Sequence, residues 1–257
     1  MSQTTSYAQR SQSGNPLKRI VRNSIPRPLW LRMALLKKHL ISGDWGNGQQ
    51  WANVAKGQRF THDGKQDLDL YWDPEMAKIL DTWGEGNAWN EVQMLFMNAN
   101  GKVLDIACGT GKTMEILRKF SNIELYGCDI SDFLLSKAEA RGFKKDHLLV
   151  TDATNMSYSD DQFSYSYSIG SLEHFTIEGI DKFIAEAKRV TKCGSYHMIP
   201  VSRSNTNEGW MKTLQSFHNN SVDWWLDKFR AHYPTVYALD SKWDDEISLG
   251  KWIICNK

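Results

Sequence analysis

Long hydrophobic runs are missing from this sequence of 257 residues. The longest, Leu29–Leu36, is interrupted by Arg32, whereas a helix that crosses a bilayer needs about 20 apolar residues. Residues 1–16 are rich in Ser, Gln and Thr and hold no apolar stretch, so they lack the pattern of a secretory signal. Their composition predicts a disordered tail. Together these features predict a soluble, cytoplasmic protein.

Cysteine is scarce, and its spacing argues against two kinds of site. The four cysteines are Cys108, Cys128, Cys193 and Cys255, and no two of them form a C-x-x-C pair. Zinc sites and disulfide frameworks are typically built from cysteines at short, regular spacings. We therefore expect reduced thiols, as in cytosolic proteins, and no zinc site.

Net charge is also low, at +1, but it is unevenly distributed. Up to Trp45 the chain has eight Lys or Arg residues against Asp44 alone, which leaves +7 on this segment and −6 on the remainder. After Pro28 the segment 17–41 predicts a basic amphipathic helix. Such a helix either packs on the domain as a lid, or contacts an anionic membrane surface or a phosphorylated ligand. The acidic remainder argues against a stable nucleic-acid partner, although the basic segment could still contact phosphates.

Apolar residues make up 41% of the chain and charged residues 24%, which is typical of a globular domain with a sizeable core. From Lys102 onward, short apolar runs alternate with helical patterns, as in a parallel sheet with helices on both faces. Two later runs, joined by a polar turn, predict an antiparallel pair at the sheet edge. The predicted strands lie at 102–107, 123–128, 147–150, 163–169, 196–201, 235–239 and 251–255. The fold class is therefore α/β: a Rossmann-like, doubly wound, mostly parallel seven-stranded sheet with an antiparallel C-terminal strand pair and an N-terminal helical lid.

The domain organisation follows from the same pattern. Asp73 as N-cap and Pro74 at the first helical position predict a helix from Pro74 to Trp83, and a second helix should cover Ala88 to Met97. We assign residues 17–100 to a basic helical extension and lid. Residues 101–257 form the main domain, with a substrate insertion at 202–233.

Candidate ligand-binding residues stand at the carboxyl ends of successive predicted strands, where open α/β sheets bind their ligands. Gly109 and Gly111 allow close backbone approach, and the following helix offers its positive N-terminus. Asp129 suits the two hydroxyls of a ribose, because one carboxylate can accept both hydrogen bonds. The order of these strand ends predicts a nucleotide-type site.

Two familiar nucleotide motifs do not fit. A Walker A loop needs glycine at the position of Ile106, and a dinucleotide fingerprint needs Gly or Ala at the position of Met114. A dehydrogenase remains an alternative that cofactor titration would test.

The run Val103-Leu104-Asp105-Ile106-Ala107-Cys108-Gly109-Thr110-Gly111 resembles motif I of the class I S-adenosylmethionine-dependent methyltransferases. The resemblance extends over residues 70–257, with further pieces at 125–131, 150–153 and 168–175. Ala107 departs from the family, which usually has its first glycine there. The resemblance implies that S-adenosylmethionine is the cofactor.

The family's cofactor contacts carry over by position. The backbone of Gly109 and Gly111 would lie beside the methionine part of the cofactor. Asp105 would bind its ammonium group, and Asp129 would accept hydrogen bonds from the ribose hydroxyls. Asp152 would meet the adenine amine beside the backbone of Ala153. The implied cofactor-binding set is Asp105, Ala107, Gly109, Gly111, Asp129, Ile130, Asp152, Ala153 and Ile169.

His174 is the first candidate for a catalytic base, because its position after the fourth strand faces the transferable methyl in family members and its pKa suits neutral pH. The alternative is that Glu173 and His174 only open the next helix. Some relatives that methylate quinone precursors have an extra Glu where this chain has Gly170, and there a metal is implied. We expect no metal here. His197 and His218 are alternative bases.

Substrate contacts are predicted in the N-terminal helices and in the insertion. Trp224 and Trp225 of the insertion are expected to anchor a helix on the sheet. Arg203 or the basic N-terminal helix would hold a phosphate or carboxylate of the acceptor. The region around Tyr71 to Gln93 is similar to the lid of methyltransferases from bacterial capsule and lipopolysaccharide pathways. The candidate substrate residues are Tyr71, Trp89, Glu173, Arg203 and His218.

The predicted activity is O-methylation of a sugar, a phosphorylated sugar or another small molecule. N- or carboxyl-methylation of a small molecule is the first alternative. A non-catalytic module that binds S-adenosylmethionine and grips a partner with its lid is the second.

Overall fold

A computed structural model describes Gln66, residues 68–212 and residues 215–257. The predicted tail over 1–16, the predicted basic helix within 17–41 and its membrane or phosphate contacts lie outside these residues. The part of the predicted lid from residue 68 onward and the main domain other than residues 213 and 214 lie within them.

A seven-stranded sheet organises the domain in the order β3-β2-β1-β4-β5-β9-β8. The first five strands in this order are parallel to one another, and β9 runs antiparallel to both β5 and β8. This confirms the predicted mostly parallel sheet with its antiparallel C-terminal pair. The strands are β1 Gly101–Ile106, β2 Ile123–Asp129, β3 Leu148–Val150, β4 Phe163–Ile169, β5 Thr191–Ser202, β8 Thr235–Asp244 and β9 Ser248–Asn256. A separate two-stranded hairpin consists of β6 Trp210–Lys212 and β7 Ser216–His218.

Helices connect the parallel strands. Asp73 caps the first helix by accepting a 2.8 Å hydrogen bond from the Glu75 N–H, and Pro74 opens it, as the sequence predicts. The α-helices are α1 Pro74–Leu80, α2 Ala88–Phe96, α3 Lys112–Leu117, α4 Asp132–Ala140, α5 Ile177–Val190 and α6 Val222–Arg230. Short 3-10 helices cover Leu68–Trp72, Lys145–His147 and Leu172–His174.

Apolar side chains cover both faces of the sheet. Leu104 and Ile106 belong to one buried cluster and Val103 to another, because successive residues of a strand point to opposite faces. Helix α2 supplies Val92 and Phe96 to the second cluster, so this part of the predicted lid is built into the core.

The predicted insertion at 202–233 divides into two parts. Its first part is the β6–β7 hairpin. Its second part, α6, packs Trp225 and Phe229 fully into the core of the main domain. Trp224 is partly buried against the same cluster, so both tryptophans anchor the helix as predicted.

Within the described ranges, no helix has the length and apolar character needed to cross a membrane.

Candidate functional site

The glycine loop between β1 and α3 forms the floor of a cavity at the carboxyl edge of the sheet. Ala107, Gly109 and Gly111 all have left-handed backbone conformations, with φ of 59°, 54° and 72°. Gly109 lines the cavity with bare backbone. Gly111 does not border it. A Cβ at Gly111 would lie 2.8 Å from the Cβ of Ala138, so this glycine permits close packing of α4.

Ala107 is a strained position. An L residue in the left-handed region costs about 1–2 kcal/mol, which explains physically why the resembling family usually has glycine here. Ala107 lines the cavity, and its methyl group is the smallest side chain that could replace glycine there.

Asp105 is buried beneath the loop at the end of β1 and is 2% exposed. Its Oδ2 atom accepts a 2.8 Å hydrogen bond from the Tyr167 hydroxyl and a 2.6 Å hydrogen bond from the Thr113 hydroxyl. Burial raises the pKa of Asp105 to about 7, although these two hydrogen bonds oppose the shift. The carboxyl borders the cavity, so it can change its protonation state near neutral pH when a charged ligand binds.

Asp129 is the last residue of β2 and joins that strand to the glycine loop. Its Oδ2 accepts from the Gly109 N–H at 2.8 Å, and its Oδ1 accepts from the Ser131 N–H at 2.9 Å. Burial raises the pKa of this carboxyl, and the same backbone donors oppose the shift. A carboxylate has about four acceptor sites, so these two bonds leave capacity for two neighbouring hydroxyls.

Asp152 follows β3 and also borders the cavity. Its Oδ1 accepts hydrogen bonds of 2.8 Å from both the N–H and the hydroxyl of Thr154, which fixes the loop. Ile130, Ala153 and Ile169 complete the wall at the ends of three strands. The cavity therefore brings together every predicted cofactor-binding residue except Gly111.

A second group of lining residues comes from the N-terminal elements and the hairpin. Tyr71 and Trp89, both predicted substrate residues, border the cavity. Trp83, Phe175 and Gln215 also border it and were missed by the sequence analysis. The Gln215 amide donates to the Tyr71 hydroxyl over 3.3 Å, which links the hairpin to the N-terminal wall.

Asp81 ties the end of α1 to the glycine loop. Its Oδ1 accepts a 2.5 Å hydrogen bond from the Thr110 hydroxyl and pairs with Arg141 at 2.7 Å. Arg141 also donates to the Thr110 carbonyl at 2.9 Å and pairs with Glu115 at 2.8 Å. This network holds the N-terminal wall over the loop.

The predicted base lies beside the cavity and does not line it. The Nδ1 of His174 is 2.8 Å from the Ser216 carbonyl oxygen, and its Nε2 is 3.6 Å from Oε1 of Glu173. Neither Glu173 nor His174 is among the lining residues, whereas Ser171 and Phe175 are.

His218 and Arg203 also lie away from the cavity. His218 is buried against Trp210 and Trp224, with ring centroids 4.6 and 5.5 Å away, and burial lowers its pKa to about 4. Arg203 pairs with Asp244 at 2.8 Å and donates to the Asp245 carbonyl at 2.7 Å. Arg203 therefore stabilises the β8–β9 turn in this structure.

His197, the other alternative base, is fully buried on β5, with its ring close to Phe183 of α5 and Phe229 of α6. Its two ring nitrogens lie 2.8 Å from the hydroxyls of Ser168 and Ser195. Burial lowers its pKa to about 3, so the ring is neutral. Its contacts with Ser168 and Ser195 connect β4 to β5.

The part of the chain that the structure describes contains no group of three or more His, Cys, Asp or Glu side chains arranged to hold a metal ion.

Part of the chain is similar to known methyltransferases. Residues 103–194 match the family model described as a methyltransferase domain. The chain is 28% identical over 144 residues to the ubiquinone/menaquinone biosynthesis C-methyltransferase of Rickettsia typhi, covering 52% of this chain and 56% of the relative. It is 34% identical over 100 residues to the tRNA (carboxymethyluridine(34)-5-O)-methyltransferase of Arabidopsis thaliana, covering 38% of this chain and 23% of the relative. The chain thus spans little more than half of one relative and under a quarter of the other.

A solved structure supports the fold. The 1,6-didemethyltoxoflavin-N1-methyltransferase of Burkholderia thailandensis, solved with 1,6-didemethyltoxoflavin and S-adenosylhomocysteine, superposes with a TM-score of 0.57 at 11% identity. The match covers 83% of this chain and 92% of that one. At this identity the likeness concerns the fold alone. The prediction of a class I methyltransferase fold and of a methyltransferase domain is confirmed.

Proposed function

We propose that this protein is an S-adenosylmethionine-dependent methyltransferase that methylates a hydroxyl group of an uncharged small molecule, with a sugar ring as the preferred acceptor. One observation supports this most strongly: the strand-end carboxylates and the glycine loop share a single cavity with an aromatic wall and side-chain amides. The carboxylates suit the cofactor. The aromatic rings and amides suit a neutral, polar acceptor.

The cavity fits the cofactor in its polar chemistry. Asp129 keeps acceptor sites for two hydroxyls, and Asp105 offers a carboxyl whose pKa of about 7 allows it to ionise beside an ammonium group. Asp152 and the backbone of Ala153 would face the adenine. The bare backbone of Gly109 permits the close approach that a side chain would prevent. When bound, S-adenosylmethionine supplies a methyl group on a positively charged sulfur.

The acceptor would lie against Tyr71, Trp83 and Phe175. Aromatic rings bury large apolar areas at low cost in side-chain entropy, and pockets of this kind orient a ligand with a few polar groups. The amides of Gln66 and Gln215 and the hydroxyl of Tyr71 supply such groups here. A sugar matches this combination, because its ring has C–H faces for the aromatic rings and hydroxyls for the amides.

Charge favours a neutral acceptor over a phosphorylated one. Lys112 is the one cation among the described lining residues, and it pairs with Glu115 at 3.0 Å. The predicted anion holder, Arg203, is engaged at the β8–β9 turn. A phosphorylated acceptor would depend on the basic segment 17–41.

Several predictions about the reaction stay open. His174 as base remains a prediction, and its contact with Ser216 orients the ring beside the cavity. N- or carboxyl-methylation, the non-catalytic binding module and a role in capsule or lipopolysaccharide pathways also remain predictions.

The test uses methyl-labelled S-adenosylmethionine with purified protein and a panel of uncharged methyl glycosides, matched sugar phosphates, small amines and total RNA. We expect label in one or more glycosides, with less in their phosphorylated counterparts. Label confined to sugar phosphates, amines or RNA would overturn the acceptor class. Cofactor binding without transfer to any fraction of a cell extract would favour the binding module.

A further inference from the structure

Lys112 is the one cation among the described residues that line the cavity. Three carboxyl groups line the same cavity, those of Asp105, Asp129 and Asp152. The cofactor brings a carboxylate of its own, on the carbon that also carries its ammonium group. Burying a carboxylate among acidic groups costs free energy unless a cation pairs with it. Of the described lining residues, only Lys112 can supply that positive charge.

Lys112 is the chain neighbour of a residue that contacts Asp105. It is the first residue of α3, and Thr113 follows it. The Thr113 hydroxyl donates a 2.6 Å hydrogen bond to Oδ2 of Asp105. Adjacent Cα atoms lie about 3.8 Å apart, so the backbone of Lys112 is held close to the carboxyl that we assign to the ammonium group. The two charged groups of an amino acid share one carbon atom, so their partners in the protein must be close neighbours.

The charged end of Lys112 lies near the cavity wall. Its Nζ atom is 6.0 Å from the centre of the Trp89 ring, and Trp89 lines the cavity. The Lys112 side chain is 29% exposed, so protein covers most of it. A lysine has a flexible stem of four carbons and three donor hydrogens. Rotation of this stem can therefore bring Nζ to a ligand carboxylate in the cavity.

Glu115, the partner of Lys112 in this structure, has a second cation beside it. The Lys112 Nζ lies 3.0 Å from Oε2 of Glu115, and Nη1 of Arg141 lies 2.8 Å from the same oxygen. Arg141 is not among the described lining residues, and its pair with Asp81 at 2.7 Å holds it in place. When Lys112 turns to a ligand, Arg141 therefore still pairs with Glu115. A partly exposed ion pair contributes little to stability, so breaking the Lys112–Glu115 pair costs little.

We propose that Lys112 binds the carboxylate of S-adenosylmethionine and thereby selects a methyl donor with an intact amino-acid end. This inference rests on the proposed function. Asp105 binds the ammonium group and Lys112 the carboxylate, so each charge of the ligand meets the opposite charge of the chain. With the cofactor bound, Lys112 is no longer available to a phosphate of the acceptor. This agrees with the neutral acceptor of the proposed function.

The closing experiment compares two ligands by calorimetric titration. One is S-adenosylmethionine, and the other is decarboxylated S-adenosylmethionine, in which hydrogen replaces the carboxylate. The proteins are the native chain, Lys112→Met, Lys112→Arg and Lys144→Met. Methionine removes the charge and keeps an unbranched apolar side chain. Lys144→Met is the matched control, because it removes the same charge at an exposed position before β3.

Lys112→Met should raise the Kd for S-adenosylmethionine at least about tenfold, because the ligand carboxylate loses a charge-assisted hydrogen bond. The Kd for the decarboxylated ligand should not rise, since this ligand has no group for Lys112 to bind. The ratio of the two Kd values therefore changes at least about tenfold in favour of the decarboxylated ligand. Lys112→Arg keeps the charge and should give a ratio between those of the native protein and Lys112→Met. Lys144→Met should give the native ratio.

The outcomes separate the two proposals. If Lys112→Met weakens the binding of both ligands equally, Lys112 acts only on the structure of the site, and this inference is overturned. Unchanged affinity of Lys112→Met for S-adenosylmethionine also overturns it. In both cases the proposed function stands. If the native protein binds neither ligand, the proposed function fails, and this inference fails with it.

Kinetics supply the second measurement. With a methyl glycoside that accepts label, Lys112→Met should raise the KM for S-adenosylmethionine at least about tenfold and leave kcat within about twofold. The reason is that the carboxylate lies far from the reacting methyl group, so its contact is the same in the ground state and the transition state. Lys144→Met should behave as the native protein. A lower kcat with an unchanged KM in Lys112→Met would contradict the proposal.

Discussion

The carboxylate of Asp129 accepts a 2.8 Å hydrogen bond from the backbone N–H of Gly109, which fastens the end of β2 to the glycine loop of β1. These residues are 20 positions apart in the chain. The bond serves two purposes. It holds the loop in its left-handed conformation, and it orients the remaining acceptor sites of the carboxylate toward the cavity.

Replacing Asp129 by Asn should weaken S-adenosylmethionine binding by about 10- to 100-fold. Hydrogen bonds to a charged group contribute about 1.5–3 kcal/mol, and the amide keeps only one acceptor oxygen. Calorimetric titration measures the change. Asp146→Asn, at an exposed position before β3, is the control. Equal affinity in Asp129→Asn and the control would contradict the assignment of Asp129.

Binding of S-adenosylmethionine should depend on the ionisation of Asp105. Because burial raises its pKa to about 7, an ammonium group must bind the less populated ionised form at lower pH. We expect affinity to fall by up to about tenfold per pH unit below pH 7 and to level off above it. Asp105→Asn should bind more weakly and lose this dependence. The same slope in both proteins would show that another group titrates.

Ala107→Gly should stabilise the protein. Glycine removes about 1–2 kcal/mol of left-handed strain and adds about 0.4–1 kcal/mol of unfolded-state entropy. The expected gain in the free energy of unfolding is about 0.5–1 kcal/mol, measured by urea denaturation. Gly109→Ala, at φ 54°, is the reverse change and should destabilise. A loss of stability in Ala107→Gly would contradict the strain at this position.

His197 should make stability fall in acid. Its folded pKa of about 3 lies below its unfolded value of about 6.5. Between these values the unfolded chain binds a proton that the folded chain does not, so the native protein loses about 1.4 kcal/mol per pH unit as pH falls. Above pH 6.5 this contribution is constant.

Asp105 and Glu173 act in the opposite direction, because burial raises their folded pKa values. The variant His197→Gln keeps both carboxyls. Their contributions therefore cancel when its stability is compared with that of the native protein. As the pH falls below 6.5, the free energy of unfolding of the native protein should therefore decrease relative to that of His197→Gln. A difference independent of pH would show that His197 has the same pKa in the folded and the unfolded protein.

The sheet and the cofactor side of the cavity could be predicted from sequence because their signals are local. Each strand is a short apolar run, and Asp105, Asp129 and Asp152 each stand at or near the end of one. Parallel strands then bring these ends to one edge. The glycine loop after β1 could also be predicted, although Ala107 stands where the resembling family usually has glycine.

Apart from Tyr71 and Trp89, the wall that we propose for the acceptor could not be predicted, because long-range contacts build it. Gln215 meets Tyr71 across 144 residues, and its hairpin has no motif that indicates this contact. Likewise, Glu91 of α2 accepts hydrogen bonds from Ser241 and Trp252, about 150 residues away in the chain. The placement of His174 depends on the Ser216 carbonyl, which no sequence pattern specifies.

The most direct test of the account is a calorimetric titration of the purified protein with S-adenosylmethionine, repeated with Asp129→Ala and with NAD. We expect one molecule of S-adenosylmethionine to bind per chain, binding to be strongly weakened in Asp129→Ala, and NAD to produce no heat. Binding of NAD in place of S-adenosylmethionine, or affinity for S-adenosylmethionine unchanged in Asp129→Ala, would contradict the account.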